Sequence, residues 1–373
     1  MLKITETLSD FETYSTVLGY EPKDSLFFDI ETTGLSPASS IVFLIGTVHY
    51  VNGSWQMTQF LAQSPEDELE LLCAFFQLAA GFRTLIHFNG TTFDIPYLKE
   101  RGCPLSDLYQ NFCQMDSLDL YQHFRPLKKL LNLPRMNQQT LEQFLGWPRQ
   151  DQLTGKHMIS LFKKYTASGE SLLSDLLLLH NHDDLLGMLQ LLKLAAYKKL
   201  PEGNIRLIET SFYDTIGDNN NRNDTIRIHF QLEQPLPSHL SVSKPVDCES
   251  AAIYQLNIQK DMGCLTVPCF CGELKYFFPD YRNYYYLPAE DQAIHKSIGA
   301  FVDAQHRKNA RPDTCYIRKS SVFLPQPKPV IEPVFQPIYH SKDLYFEYTE
   351  TVFRDSEKLL CYVISILQYI CRH

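Results

Sequence analysis

The chain has 373 residues, 44% of them hydrophobic and 13% aromatic, with a formal net charge of −9 at pH 7. That length suggests two domains, and that composition excludes an intrinsically disordered chain. The acidic balance excludes a generally basic surface, so any contact with nucleic-acid phosphates must come from a local patch. Residues Met1 to Asp10 have no basic start and no apolar run, and no stretch of 18 apolar residues occurs. A cytoplasmic protein with neither signal peptide nor membrane span is therefore expected. Ten cysteines without framework spacing read as reduced thiols.

Ser25–Ile30 (SLFFDI) reads as a buried strand, followed by a turn marked by Gly34 and Pro37. Ile41–Tyr50 and Trp55–Leu61 are two further strand-like runs, and Asn52-Gly53 between them is a hairpin signal. Pro65–Ala80 has helical periodicity with acidic residues in its first turn. Thr84–Phe88 is a short apolar strand, and a helix is predicted from Asp94 to Arg101, stopped by Gly102. Asp116–Leu131, Thr140–Leu145, His157–Tyr165 and Leu172–Lys199 all read as helices. This order predicts an α/β domain over residues 1–200, a mixed sheet flanked by helices. Beyond it, Asp218–Asp224 reads as a polar loop, and short alternating segments predict a smaller β-rich domain over 201–373. Pro325–Pro337 is expected to be extended, and Asp355–Ile370 to be a terminal helix docked on its own domain.

Carboxylates stand where a sheet-based metal site would want them. Asp29 and Glu31 flank Ile30, so in a strand both point to one face, where they repel unless a cation lies between them. Asp94 follows the strand Thr84–Phe88 after a short loop, and Asp184 sits on an apolar helix with His180 one turn earlier on the same face. Four such carboxylates can hold two divalent ions about 3.5–4 Å apart, and oxygen ligands suit magnesium or manganese. Taken singly, each has a plainer role: Asp94 could cap the helix that follows it, and Asp184, like Asp183, could face solvent.

The local contexts resemble a known pattern. Phe28-Asp29-Ile30-Glu31-Thr32-Thr33-Gly34-Leu35 looks like the first motif of the DnaQ-like 3′→5′ exonuclease superfamily. His87 to Leu98 (HFNGTTFDIPYL) resembles the second motif, and His180-Asn181-His182-Asp183-Asp184 the third. Within Arg125–Leu194, the run QTLEQFLG (Gln139–Gly146), Arg149-Gln150-Asp151 and Gly155 resemble the YprB-like ribonuclease H-like domain proteins. The resemblance spans about residues 22–195. It implies a ribonuclease H-like fold and hydrolysis of DNA or RNA from a single-stranded 3′ end. It also implies that Asp29, Glu31, Asp94 and Asp184 are ligands to two Mg²⁺ or Mn²⁺ ions, and that Thr32, Leu35, Asn89 and Phe93 hold the terminal nucleotides. His180 stands where the family often has Tyr. A neutral imidazole could accept the proton of the attacking water, with His182 as the competing candidate. The rival expectation is a non-catalytic nucleic-acid-binding or scaffold protein that retains the fold.

Other residues are read structurally. Cys264, Cys269 and Cys271 lack the spacing and fourth ligand of a zinc site and are taken as packed thiols. His49, His87 and His123 sit in apolar contexts that favour packing, and Asp116 and Asp119 are expected to cap a helix. Between Gly272 and Pro327, Lys275, Arg282, Lys296, Arg307 and Arg318 are interleaved with Tyr276, Tyr281, Tyr284, Tyr285 and Tyr286. That mixture suits either single-stranded nucleic acid stacked on rings or a sheet with tyrosines on one face.

Overall fold

Strand β2, Ser25–Thr32, carries the first acidic motif, and its first four residues are all buried. Such a strand needs cover on both faces. In the computed structural model, which describes residues 1–8, 18–151, 153–213, 224–246 and 252–372, that cover comes from helices. The chain divides into two compact units, Met1–Lys129 with Leu133–Ala195, and Leu130–Asn132 with Ala196–His373.

The first unit is a mixed α/β layer structure. Its six-stranded sheet also contains β1 (Leu2–Leu8), β3 (Val42–Val51), β4 (Ser54–Leu61), β5 (Thr84–His87) and β6 (Asp116–Asp119). The strand order is β1-β4-β3-β2-β5-β6. The strands from β1 to β2 pair antiparallel, whereas β5 and β6 join parallel. The β3–β4 hairpin turns on Asn52 and Gly53, at φ 49° and 87°, the left-handed pair that a tight two-residue hairpin needs. The helices are α1 (Glu68–Ala79), α2 (Asp94–Gly102), α3 (Ser106–Gln114), α4 (Leu120–Phe124), α5 (Gln138–Phe144), α6 (Gly155–Ser168) and α7 (Ser171–Leu191). Helix α1 packs against β3 and β4; α7 packs against β2, β3 and β4 and is itself covered by α5 and α6. This is why α7 is apolar around most of its circumference rather than along one stripe.

The predicted helix Asp116–Leu131 is corrected. Asp116–Asp119 is a strand paired in parallel with Thr84–His87, and only Leu120–Phe124 and a 3₁₀ turn at Arg125–Lys128 are helical. Edge pairing with β5 overrides the local preference of a polar segment that has no strand signal of its own. Asp119 caps α4 by accepting hydrogen bonds from the Tyr121 and Gln122 amides, whereas Asp116 lies in the strand. Strand β1 and helix α3 were not expected from the sequence pattern.

The second unit is β-rich. A five-stranded antiparallel sheet is built from Ile205–Tyr213, Thr225–Leu232, Leu240–Pro245, Ile253–Gln259 and Met262–Pro268. A three-stranded sheet joins Phe270–Phe277, Tyr316–Gln326 and Leu344–Glu347, and another joins Tyr284–Leu287, Gln292–His295 and Lys308–Asn309. The terminal helix, Ser356–Cys371, is capped by Asp355 and buries Leu359, Val363, Ile366, Leu367 and Ile370 within this unit. The polar loop read at Asp218–Asp224 lies outside the described residues except for Asp224. Among the described residues, no helix is long and apolar enough to cross a membrane.

Candidate active site

Parallel pairing of β2 with β5 runs only from Ser25↔Thr84 to Phe27↔Ile86. Beyond it the β5 side of β2 is open, so the Asp29–Glu31 end of β2 stands free to face other elements. Asp29 and Glu31 are half-buried and alternate with the buried Ile30. On the other side, Asp29 pairs with Gly46 of β3. A Cβ at Gly46 would lie 1.9 Å from Asn181 Oδ1, so only glycine lets α7 approach this closely. The buried Asn181 uses that approach: its Nδ2 donates to Asp29 Oδ2 at 2.9 Å, and its Oδ1 accepts from Gln59 Nε2 at 2.9 Å.

The loop after β5 delivers Asp94. Asn89 adopts φ 59°, and its amide donates to Asp119 Oδ1 at 2.9 Å; the amide of Thr91 donates to Asp119 Oδ2 at 3.3 Å. His87 accepts from the Gly90 amide on Nδ1 at 3.0 Å and contacts Ser117 Oγ through Nε2 at 2.7 Å. Burial pushes its pKa down to about 4, so the ring is neutral and part of the scaffold. His49 is likewise buried, with its pKa lowered by desolvation, and packs edge-on against Phe82. These contacts turn the chain so that α2 starts at Asp94, whose carboxyl is buried near the Ile30 amide.

The third motif lies on α7. Asp184 faces the carboxylate group, since its charge acts on Asp29, Glu31 and Asp94. Asp183 does not: its Oδ2 accepts from the amides of Gln150 at 2.7 Å and Asp151 at 2.8 Å. His180 is buried, with Nε2 3.3 Å from Glu31 Oε1 and 3.5 Å from Asp184 Oδ2. His182, the competing candidate, turns to Glu6 on β1 at 3.2 Å and to Asp183 at 3.4 Å.

The carboxyl groups of this cluster raise one another's pKa values. Asp29 is held well above the carboxylate range by burial and by the charges of Asp184, Glu31 and Asp94. Glu31 is raised likewise, by burial and then by Asp184, Asp94 and Asp151. Asp94 is raised to about 7, chiefly by burial. Like charges buried together cannot all ionise without a counter-ion. Glu31, His180 and Asp184 each offer a ligand atom, and these atoms lie within 4.8 Å of one another. Among the described residues no other group of three His, Cys, Asp or Glu side chains meets that test. Divalent cations held by carboxylate oxygens, with Asp29 and Asp94 beside the triad, fit this donor set.

The residues expected to hold nucleotides are less concentrated. Thr32 is buried and donates to the Gly34 carbonyl at 2.8 Å. Leu35 is 88% exposed, Asn89 is exposed, and Phe93 is half-buried against the ring of Tyr97 at 5.4 Å. Sequence reasoning gave no role to Gln138, Glu142, Arg149 or Asp151, although it singled out the runs that contain the last three. In the structure they form the layer next to α7. Arg149 Nη2 contacts Asp184 Oδ1 at 2.7 Å, and Asp151 Oδ2 hydrogen-bonds His180 Nδ1.

In the second unit, the rings interleaved with basic residues pack on one another and on those cations. Phe278 stacks on Tyr284 at 4.4 Å, Lys275 lies 4.1 Å from the Tyr316 ring, and Arg307 lies 4.5 Å from Tyr285. Cys264 approaches His229 at 3.9 Å, and Cys271 approaches Asp224 at 3.3 Å.

A family model described as RNase_H superfamily matches residues 26–196, a little less than half of the chain. The chain is also homologous to the uncharacterized protein YprB of Bacillus subtilis (strain 168), at 26% identity over 270 residues. That match covers 64% of this chain and 65% of the relative, so the chain spans less than two thirds of the relative's length. Among solved structures, the family B DNA polymerase of the archaeon Pyrobaculum calidifontis is similar at 18% identity and a TM-score of 0.38. That match covers 50% of this chain and 26% of the polymerase. E. coli exonuclease I, solved with a dT13 oligonucleotide, is similar at 11% identity and a TM-score of 0.33, covering 56% and 54% of the two chains. The superfamily match supports a nuclease-type function.

Proposed function

We propose that the first unit is a metal-dependent 3′→5′ exonuclease that hydrolyses phosphodiester bonds of DNA or RNA at a single-stranded 3′ end. The observation that carries the reading is the cluster of the buried Asp94 with the half-buried Asp29, Glu31 and Asp184 on β2, α2 and α7, with elevated pKa values at Asp29, Glu31 and Asp94, which has no use in a bare scaffold. Asp29, Glu31, Asp94 and Asp184 would hold two Mg²⁺ or Mn²⁺ ions. Bound there, the ions supply charge neutralisation at the phosphate and acidify water. His180 Nε2 accepts the proton of the attacking water, with the ring held from behind through Nδ1. No Ser or Cys occupies a motif suited to covalent attack, so water is the nucleophile. The exposed Leu35 and Asn89 and the half-buried Phe93 contact the terminal nucleotides.

The test is incubation of the full chain with 5′-labelled DNA and RNA oligonucleotides in Mg²⁺ or Mn²⁺. A ladder shortening from the 3′ end, with release of nucleoside 5′-monophosphates, is expected. Asp29→Asn should abolish it. Absence of cleavage by the wild-type chain, or cleavage by Asp29→Asn at the wild-type rate, overturns the reading.

A further inference from the structure

We infer that the segment from Gln138 to Asp151 is a positioning clamp for α7, in which Asp151 fixes the His180 tautomer that leaves Nε2 unprotonated toward Glu31 and Asp184. The inference rests on the exonuclease reading only for its kinetic consequences. Its structural content stands on the contacts themselves.

The clamp has three grips. The first fastens the chain to the helix: both the Gln150 and the Asp151 amides donate to Asp183 Oδ2, so the carboxylate next to Asp184 in sequence serves as an anchor. The second fixes Asp184. Arg149 Nη2 holds its Oδ1 at 2.7 Å, which leaves Oδ2 for the carboxylate cluster. Arg149 is held in turn by the buried Glu142, 3.1 Å from its Nη1. Gln138 Nε2 bridges Glu142 Oε1 at 2.9 Å and the Asp184 carbonyl at 2.7 Å. A Cβ at Gly187 would sit 1.9 Å from Glu142 Oε1, so α7 is notched to admit that carboxylate.

The third grip is on the imidazole. Asp151 is buried, and its Oδ1 accepts from the Leu153 amide at 2.8 Å while its Oδ2 faces His180 Nδ1. An ionised carboxylate can only accept a hydrogen bond, so Nδ1 carries a proton, and the tautomer selected when the ring holds a single proton keeps its lone pair on Nε2. That lone pair points where Glu31 Oε1 and Asp184 Oδ2 lie, at 3.3 and 3.5 Å. With the other tautomer an N–H would point there instead, able neither to take a proton nor to bind a cation. Asp151 contacts no reacting atom in this arrangement; it acts through His180 and is a positioning residue.

Asp151→Asn tests this. The Leu153 amide keeps the Asn oxygen, so the Asn amide group faces Nδ1 and donates to it, which reverses the tautomer. Long-range ¹H–¹⁵N spectra of the histidine-labelled, metal-free full chain at pH 8 should show His180 as Nδ1–H in the wild type and Nε2–H in Asp151→Asn. The resonance is assigned by its loss in His180→Phe. With 3′-labelled oligonucleotide release as the assay, kcat should fall roughly 10²–10⁴-fold with KM changed less than about threefold. An Nε2–H tautomer in the wild-type chain overturns the inference even if the variant fails to fold, and so does a variant that keeps both tautomer and kcat. If the wild-type chain cleaves nothing while its His180 is Nδ1–H, the clamp stands and the exonuclease reading falls.

Discussion

The metal-free protein should lose stability as pH rises, and a divalent cation should restore it. Asp94 titrates at about 7 in the folded chain against 3.8 for an ordinary aspartate, chiefly because it is buried. Between those two values the folded state holds a proton that the unfolded state has released. Stability therefore falls with pH across that window, by about 1.4 kcal/mol per pH unit. The stabilising contribution of the protonated group is complete below the unfolded value and gone once pH passes about 7. From pH 5 to pH 8, Asp94 alone accounts for a loss of about 3 kcal/mol, or about 6–12 °C in Tm for a unit of this size. Asp29 and Glu31 are raised in the same direction and carry the decline further. Thermal melts of the full chain in EDTA at pH 5, 6, 7 and 8 measure the slope. Mn²⁺ added at pH 8 should raise Tm, because the ion binds the folded state and neutralises the cluster. Asp94→Asn should flatten the slope. A Tm independent of pH in EDTA, together with no response to Mn²⁺, would refute the reasoning.

His180→Ala should slow cleavage by roughly 10²–10⁴-fold while Mn²⁺ binding, measured by calorimetry, persists through the carboxylates; an unchanged rate would move the proton to bulk solvent. Gly46→Ala places a methyl 1.9 Å from Asn181 Oδ1 and 2.5 Å from Leu185 Cδ1. It should cost about 1–3 kcal/mol in urea unfolding, and it should reduce cleavage by displacing the Asn181 amide from Asp29. Arg149→Ala leaves Glu142 buried without its cation and should destabilise the chain by about 3–5 kcal/mol, seen as a lower denaturation midpoint. A midpoint within error of wild type would show that Glu142 is neutral in the fold.

What was legible in the sequence follows from range. The β3–β4 hairpin announces itself through two apolar runs and Asn52-Gly53, because the turn chemistry is local. The facing of Asp29 and Glu31 follows from the two-residue repeat of a strand, and that of His180 and Asp184 from one helical turn. Strand β6 was not legible: Asp-Ser-Leu-Asp has no strand character until β5 lends it a partner. The amide cradle on Asp119 and the grip of Arg149 on Asp184 join residues 28 to 35 positions apart. No periodicity encodes such contacts. The RNase H superfamily fold was therefore readable from its motifs, whereas the layer that orients those motifs had to be seen.

That layer also bears on how an acidic chain could meet phosphate. Arg149 is a cation beside the carboxylates, but its side chain is 11% exposed and committed to Asp184 and Glu142. It can tune the position of Asp184; it cannot also reach a phosphate. Asp29, Glu31, Asp94, Asp151 and Asp183 also gather here, so the field at the β2 end turns negative as these carboxyl groups ionise. A phosphodiester approaching such a surface is repelled unless positive charge arrives with it or before it. On the exonuclease reading, the divalent ions therefore serve binding as well as chemistry. The net charge of −9 is then no obstacle to a nucleic-acid substrate, because the charge that recruits the phosphate is supplied at the site rather than spread over the surface.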